Sequence, residues 1–100
     1  MTINLQSVHF DADKKLIEFA YEKTTKLTLF YDGLISCEII LRLDKDAHNE
    51  NKVAEIKINA KGQELFSKKQ SLSFEESIDL ACEALKTQIK KHKEKSLEQH

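Results

Sequence analysis

The segment Leu34-Ile35-Ser36-Cys37-Glu38-Ile39-Ile40-Leu41-Arg42-Leu43-Asp44 carries the clearest secondary-structure signal in the chain. Every second residue is apolar, and these residues are Ile35, Cys37, Ile39, Leu41 and Leu43. The positions between them are polar apart from Ile40. A period of two is typical of a strand with one buried face. We therefore predict a long strand over residues 34–44 whose apolar face covers a core.

Upstream of this strand, the pattern predicts one strand and one helix. Residues 3–8 begin with apolar and polar alternation, which indicates a first strand. Apolar positions then recur at a spacing close to 3.6 and predict a helix over about 13–28. Either Asp11 or Asp13 supplies its N-cap carboxylate. The helix ends at Phe30-Tyr31-Asp32-Gly33, where an Asp-Gly pair signals a turn.

Downstream, two strands and a second helix are predicted. Residues 53–60 alternate, Lys61-Gly62-Gln63 forms a tight turn, and residues 64–72 form a weaker fourth strand. Ser71 or Ser73 caps the following helix. One face of that helix carries a stripe at helical spacing, made of Phe74, Ile78, Ala81, Cys82, Leu85, Ile89 and His92.

The order β-α-β-β-β-α predicts an α+β two-layer sandwich, a four-stranded mixed sheet with two helices on one face. The first two strands are expected to be parallel and the remaining pairs antiparallel. One hundred residues suffice for one domain. We place it at residues 1–95 and expect residues 96–100, which include one apolar side chain, to be a disordered tail.

Composition excludes several classes of protein. The net charge of −1 rules out a uniformly basic nucleic-acid coat. The start lacks a basic and an apolar region, so no signal peptide is predicted. The longest apolar run, Ile39–Leu41, is too short for a membrane helix. Cys37 and Cys82 both sit within apolar patterns and are interpreted as small buried hydrophobes of a reduced, cytoplasmic chain.

The second predicted helix has a steep charge gradient. Residues 75–84 carry four acidic and no basic side chains, whereas residues 86–95 carry five lysines and one glutamate. Helix-dipole complementarity accounts for two or three of those lysines. Lys86, Lys90 and Lys93 form a ridge that suits a phosphate backbone. A solvated helix end remains the alternative, and since Arg42 is the only arginine, backbone recognition of structured RNA is favoured over base readout.

No catalytic or cofactor site is predicted. The chain lacks a P-loop, a nucleophile elbow and a dinucleotide-binding fingerprint. The run from His9 to Asp13 is interpreted as a strand end and a helix cap rather than a metal site. Asp44, Asp46 and His48 lie in a polar loop where nothing would desolvate them. The sequence therefore predicts a protein that is not an enzyme and has no metal or cofactor.

Two motifs resemble a known family. Lys23-x-x-Lys26-Leu27-x-x-Phe30-Tyr31-Asp32 matches the pattern K-x-x-K-L-x-x-aromatic-aromatic-D of the bacterial ribosome hibernation promoting factors, also called ribosome-associated translation inhibitors. Within the second helix, the pattern A-I-D…L-x-x-Q-L-x-K-H-K-x-K falls on the segment from Ile78-Asp79 to Lys95. Nearly the whole chain resembles the short form of this family.

The resemblance implies a fold similar to double-stranded-RNA-binding domains and a translation inhibitor of resting or stationary-phase cells under stress. It implies binding to whole ribosomes, on the 16S-type rRNA of the small subunit, in the channel where tRNA and mRNA occupy the A and P sites. It carries rRNA contacts over to Lys23, Lys26, Lys91, Lys93 and Lys95. With the ridge and the adjoining histidine, the predicted rRNA-binding residues are Lys23, Lys26, Lys86, Lys90, Lys91, His92, Lys93 and Lys95.

The chain also departs from the family pattern. Ala84 and Thr87 stand where a lysine and an arginine are usual, and Gly33 stands where a basic residue is common. Long-form relatives carry a further domain that pairs ribosomes, so the resemblance implies that any ribosome dimerisation needs a separate dimerising factor.

A protein–protein interaction module is the alternative function. It would use an open sheet edge or the outer sheet face, with Leu34 and Ile40 as exposed apolar points.

Overall fold

The computed structural model describes residues 1–45 and 49–98, with side chains described through residue 95. The elements are β1 (Thr2–Val8), α1 (Lys14–Thr25), a 3₁₀ helix (Lys26–Leu29), β2 (Leu34–Leu43), β3 (Lys52–Ala60), β4 (Gln63–Ser71) and α2 (Phe74–Glu98). Asp46 and His48 of the predicted polar loop lie outside the described residues.

The four strands form one mixed sheet in the order β1-β2-β3-β4. β1 pairs with β2 in parallel, and the β2–β3 and β3–β4 pairs are antiparallel. Both helices contribute residues to the core that the sheet's inner face covers. The predicted α+β two-layer fold, with two helices on one face of a four-stranded sheet, is confirmed.

Two side-chain caps set the starts of the helices and resolve the alternatives left by the sequence. The carboxylate of Asp13 accepts a hydrogen bond from the Leu16 N–H at 2.8 Å. The hydroxyl of Ser73 accepts one from the Glu76 N–H at 3.1 Å. Each cap satisfies a backbone donor that has no partner within the first turn.

The core lies between the inner sheet face and the apolar stripe of α2. Ile39, Leu41, Ile56 and Ile58 of the sheet are fully buried, and so are the helix residues that face them, Ile78, Leu85 and Ile89. Phe10, which follows β1, stacks on Phe74 with ring centroids 4.4 Å apart. The stripe predicted from the sequence is therefore the face by which α2 is held to the sheet.

The start of β2 differs from its predicted alternation. The pairing with β3 shifts between Leu34 and Ser36, where one extra residue is accommodated. Such a bulge moves the side chains that precede it to the opposite face. As a result Leu34 is buried and Ile35 is 59% exposed. The prediction that Ile35 faces the core and the prediction that Leu34 is an exposed apolar point are both wrong.

Helix side chains reach the backbone at the two edge strands. At β4, the Gln88 amide donates to the Phe66 carbonyl at 2.9 Å and accepts from the Phe66 N–H at 3.4 Å. At β1, the Tyr21 hydroxyl donates to the Ile3 carbonyl at 3.2 Å. Unpaired edge groups invite the addition of another strand, and these contacts occupy part of both edges.

The C-terminal helix continues to Glu98, three residues past the predicted domain end at residue 95. Leu97 and Glu98 are good helix formers, which suits this extension. Residues 99–100 of the predicted tail lie outside the described residues. Within residues 1–45 and 49–98, no helix combines the length and the apolar character needed to span a membrane.

Cys37 and Cys82 are both free and buried, as predicted. Burial is the main cause that raises the pKa of each thiol from 9.0 to about 12. The folded protein therefore retains both thiol protons at a pH at which the unfolded chain has released them. Folding stability that depends on the neutral thiols is fully present below pH 9 and is lost as the pH rises toward 12.

We predict that the free energy of unfolding falls between pH 9 and pH 11, by on the order of 1.4 kcal/mol per pH unit for each thiol. Denaturant titrations across this range measure it. Other residue types, lysine and tyrosine, titrate in the same range in any protein. The contribution of the thiols is therefore the difference in pH dependence between the parent protein and the double variant Cys37→Ala, Cys82→Ala. A double variant with the same pH slope as the parent would contradict the prediction.

Candidate nucleic-acid interface

The predicted interface residues lie on two flanks of α2. Lys86 and Lys90 face the 3₁₀ helix, because both ammonium groups lie over the ring of Phe30. Lys91 and Lys95 line a groove on the other flank, next to β4. A helix turns about 100° per residue, which places Lys91 about 140° from Lys86. The structure therefore separates the lysines of one helix into two sets.

Phe30 holds two of these lysines in place. The Nζ atoms of Lys86 and Lys90 lie 5.0 and 5.2 Å from its ring centroid. A cation above an aromatic face is attracted by the negative potential of the ring. Phe30 itself packs against the core, so the ring is a fixed support. Both ammonium groups are thereby ordered near the 3₁₀ helix without being neutralised.

Lys23 and Lys26 lie in the adjoining groove between the two helices, and both are paired with carboxylates. Lys23 donates to Asp79 of α2 at 3.1 Å, and this hydrogen bond is the main cause that raises the pKa of its ammonium group. Lys26 lies 3.6 Å from Glu22. These two predicted residues therefore carry local counter-charges.

The lysines at the end of α2 have a different environment. Lys91, Lys93 and Lys95 are exposed, and within the described part of the chain none of them forms an ion pair. Ion pairs with carboxylates engage Lys14, Lys23, Lys26, Arg42 and Lys57 instead. The C-terminal half of α2 thus carries five lysines that form no ion pair within the described residues, whereas the other lysines without an ion pair are spread over α1, the strands and the loops.

His92 differs from the other seven predicted site residues because its ring is buried. Its Nε2–H donates to the Lys61 carbonyl at 3.1 Å, and its Nδ1 lies 2.9 Å from Oε1 of Gln63. The ring of Tyr31 meets it edge-on at 5.6 Å. His92 is thus a contact that holds α2 to the turn between β3 and β4.

The neighbouring Tyr31 ring explains why position 33 is a glycine rather than a basic residue. A Cβ atom built on Gly33 would lie 2.4 Å from Cζ of Tyr31, which is well inside the contact distance. Any side chain at this position must displace the Tyr31 ring, and with it the contact to His92. The space in which the resemblance leads us to expect a basic side chain is therefore filled by an aromatic one.

The outer face of the sheet is electrically balanced, in contrast to the end of α2. Arg42 pairs with Glu55, and Lys57 lies 3.5 Å from Glu38 and 3.8 Å from Glu64. Ile40 is half-buried among these pairs. A surface on which carboxylates balance the cations offers little to a phosphate backbone.

Two residues near the site were missed by the sequence interpretation. Phe30 is interpreted from the sequence as part of a turn, whereas in the structure its ring lies beside α2, below Lys86 and Lys90. Lys61 was interpreted as a turn residue, although its carbonyl is bonded to His92. The signal that could have found Lys61 is His92 itself, since a polar residue on a buried stripe needs hydrogen-bond partners.

We predict that Phe30→Leu lowers the free energy of unfolding by about 1–2 kcal/mol, since each exposed cation–π contact contributes about 0.5–1 kcal/mol. Phe30→Tyr keeps the aromatic face and is the matched control, with an expected change within about 0.5 kcal/mol. Chemical denaturation measures both. An equal decrease in the free energy of unfolding of both variants would show that the contacts of Lys86 and Lys90 with the aromatic ring contribute nothing to stability.

Comparisons with known proteins agree with this architecture. A curated relative from Escherichia coli named ribosome hibernation promoting factor is 27% identical over 105 aligned positions, covering 100% of both chains. A relative of the same name from Azotobacter vinelandii is 26% identical over 103 positions, covering 98% of this chain and 88% of its own.

Two solved structures share the fold. A ribosomal subunit interface protein from Coxiella burnetii superposes with a TM-score of 0.83 at 22% identity, covering 93% of this chain and 98% of its own. The N-terminal domain of Protein Y from Thermus thermophilus gives 0.78 at 22% identity, covering 92% and 99%. The sequence model of the family described as sigma 54 modulation protein / S30EA ribosomal protein matches residues 3–96. This chain belongs to that family.

Proposed function

We propose that the protein is a ribosome hibernation factor that binds the small ribosomal subunit and inhibits translation in resting or stressed cells. The observation that carries the proposal is the concentration of unpaired lysines on the C-terminal half of α2, in a chain whose relatives are named ribosome hibernation promoting factors. The binding site we propose is the tRNA and mRNA channel at the A and P sites, where 16S-type rRNA is the partner.

The charge distribution supports an RNA partner. The chain as a whole has a net charge of −1, so attraction to RNA depends on how its charges are segregated. The acidic half of α2 and the ion-paired sheet face are unsuited to phosphates, whereas Lys91, Lys93 and Lys95 have no carboxylate partner within the described residues. A local basic surface fixes orientation as well as affinity, because the backbone is attracted most strongly to the part of the molecule where the lysines are densest.

Each group of lysines has its own part in the proposed contact. Lys86 and Lys90 are held over Phe30 and lose less side-chain freedom on binding than free lysines do. Lys91, Lys93 and Lys95 reach phosphates without first breaking an ion pair. Lys23 and Lys26 exchange a carboxylate partner for a phosphate, which makes their net contribution smaller. His92 acts through the position of α2.

Inhibition needs no chemical step. A protein that occupies the channel excludes tRNA and mRNA by volume, and release restores the ribosome. The proposal therefore assigns the protein no catalytic residue, and places it in the cytoplasm, where ribosomes work. Any pairing of ribosomes is assigned to a separate dimerising factor.

The alternative of a protein–protein interaction module has less support. Leu34, one of its two apolar points, is buried. Side chains of Gln88 and Tyr21 occupy backbone groups at the two sheet edges. Salt dependence discriminates the two functions, since binding to an RNA backbone weakens steeply as salt rises.

We predict that Lys90→Glu, Lys93→Glu abolishes co-sedimentation with small subunits at moderate salt and abolishes inhibition of cell-free translation. Both side chains are exposed, so Lys93→Glu should alter the free energy of unfolding by no more than about 0.5 kcal/mol. Lys90→Glu also loses the contact with Phe30 and should lower it by about 0.5–1 kcal/mol. Sucrose-gradient sedimentation and thermal melting measure the two effects. Loading the ribosome first with mRNA and initiator tRNA should reduce inhibition by the parent protein, because the proposed sites overlap.

The matched control is Lys15→Glu, Lys45→Glu, which changes the net charge equally. Both residues are exposed, and the first turn of α1 and the end of β2 lie at the end of the molecule where α2 begins. The control should retain binding. Equal losses in both double variants would show that only net charge matters, and a parent protein that leaves translation untouched would refute the proposed function.

A further inference from the structure

Lys61 lies where three separate segments of the chain meet. Its N–H donates to the carbonyl of Gly33 at 3.0 Å, and its own carbonyl accepts from His92 at 3.1 Å. Its side chain is exposed and forms no ion pair within the described part of the chain. The backbone of this lysine is therefore fixed on both sides while its charge is free.

The turn that carries Lys61 is held in one conformation. Gly62 has a φ of 87°, a left-handed value that favours glycine. Gln63, on the other side of Gly62, contacts the same imidazole that bonds Lys61. The buried ring of His92 thus ties two residues of the turn to α2, and Tyr31 packs against that ring.

The adjoining groove places this turn beside two other free lysines. It runs between α2 and β4 and is lined by Gln63, Leu65, Gln88, Lys91, His92 and Lys95. Lys91 and Lys95 are spaced i, i+4 and share one side of the helix. Glu64, the acidic residue nearest in sequence to this turn, is engaged by Lys57 at 3.8 Å.

We propose that Lys61, Lys91 and Lys95 form a second phosphate-binding flank, so that RNA backbone contacts the C-terminal half of α2 on both of its sides. One flank carries Lys86 and Lys90, and the other carries Lys91 and Lys95 of this groove together with Lys61 on the adjoining turn. The inference rests on the proposed function and adds to it a contact that comes from the sheet rather than from the helices.

The chemistry of the groove favours RNA phosphate over a protein partner. Its one aliphatic lining residue, Leu65, is buried, the amide of Gln88 is hydrogen-bonded to the Phe66 backbone, and Oε1 of Gln63 contacts the His92 ring. What remains accessible is positive charge. A lysine on a fixed turn also loses less backbone freedom on binding than one on a mobile loop, which favours a defined contact.

The test is the salt dependence of binding to purified small ribosomal subunits. Lys61→Gln should weaken binding about 3- to 10-fold at moderate salt and lower the slope of log K against log salt by about 0.7–0.9, the value for one phosphate contact. Lys68→Gln is the matched control, since Lys68 is an exposed lysine of β4 that lies opposite Glu55 in the β3–β4 register, away from the groove. It should change neither quantity.

A second variant tests the role of His92 as a positioning residue. His92→Leu removes no lysine but releases the turn, so it should lower the salt slope as well. Lys61→Gln should then add little in the His92→Leu background, because the contact is already lost. A merely structural role for His92 would lower the melting temperature and leave the effect of Lys61→Gln unchanged.

The outcomes separate the inference from the function on which it rests. If the parent protein binds and Lys61→Gln matches it, the second flank is refuted and the proposed function stands. A weaker Lys61→Gln variant with an unchanged salt slope indicates a contact other than phosphate, and equal effects of Lys61→Gln and Lys68→Gln indicate net charge only. Either result overturns the inference.

Discussion

The apolar stripe of α2 against the inner sheet face is the contact on which the remaining geometry depends. Ile78, Leu85 and Ile89 are fully buried there, and His92 extends the contact to the turn between β3 and β4. Burial of such side chains is worth about 1.5–3 kcal/mol each and fixes the rotation of the helix. Once that rotation is fixed, every lysine of the C-terminal half has a determined direction.

His92 lies within the basic half of α2 and holds that half to the turn between β3 and β4. The helix continues from His92 to Glu98, about 9 Å at 1.5 Å per residue. Lys93 and Lys95 lie on this segment with exposed side chains, and Lys95 lines the groove next to β4. These lysines are therefore carried by a helix whose rotation is fixed by its buried contacts.

Separation of charge gives a nearly neutral protein a directional surface. Carboxylates neutralise Lys23 and Lys26 on the helices and Lys57 on the outer sheet face. Cation–π contacts to Phe30 order Lys86 and Lys90 without neutralising them. An ion pair reduces the positive charge that a lysine offers to an anionic partner, whereas a cation–π contact preserves it. The number of lysines on a surface therefore does not describe its attraction for anions unless the contacts of each lysine are also known.

Periodicity and capping residues determined much of this structure from the sequence alone. The stripe from Phe74 to His92 and the alternation in β3 specify which faces are buried, because burial of apolar side chains follows the helix and strand repeats directly. The same patterns gave the order of the elements and the lysine ridge of α2.

Only the tertiary structure decided the remaining features. A one-residue bulge exchanged the faces of Leu34 and Ile35, which a period of two cannot anticipate. Which lysines are paired, and that the turn with Lys61 meets α2 at His92, depends on residues far apart in the chain. Local patterns encode the direction of each side chain within its own element, whereas the neighbour it meets is set by how the elements pack.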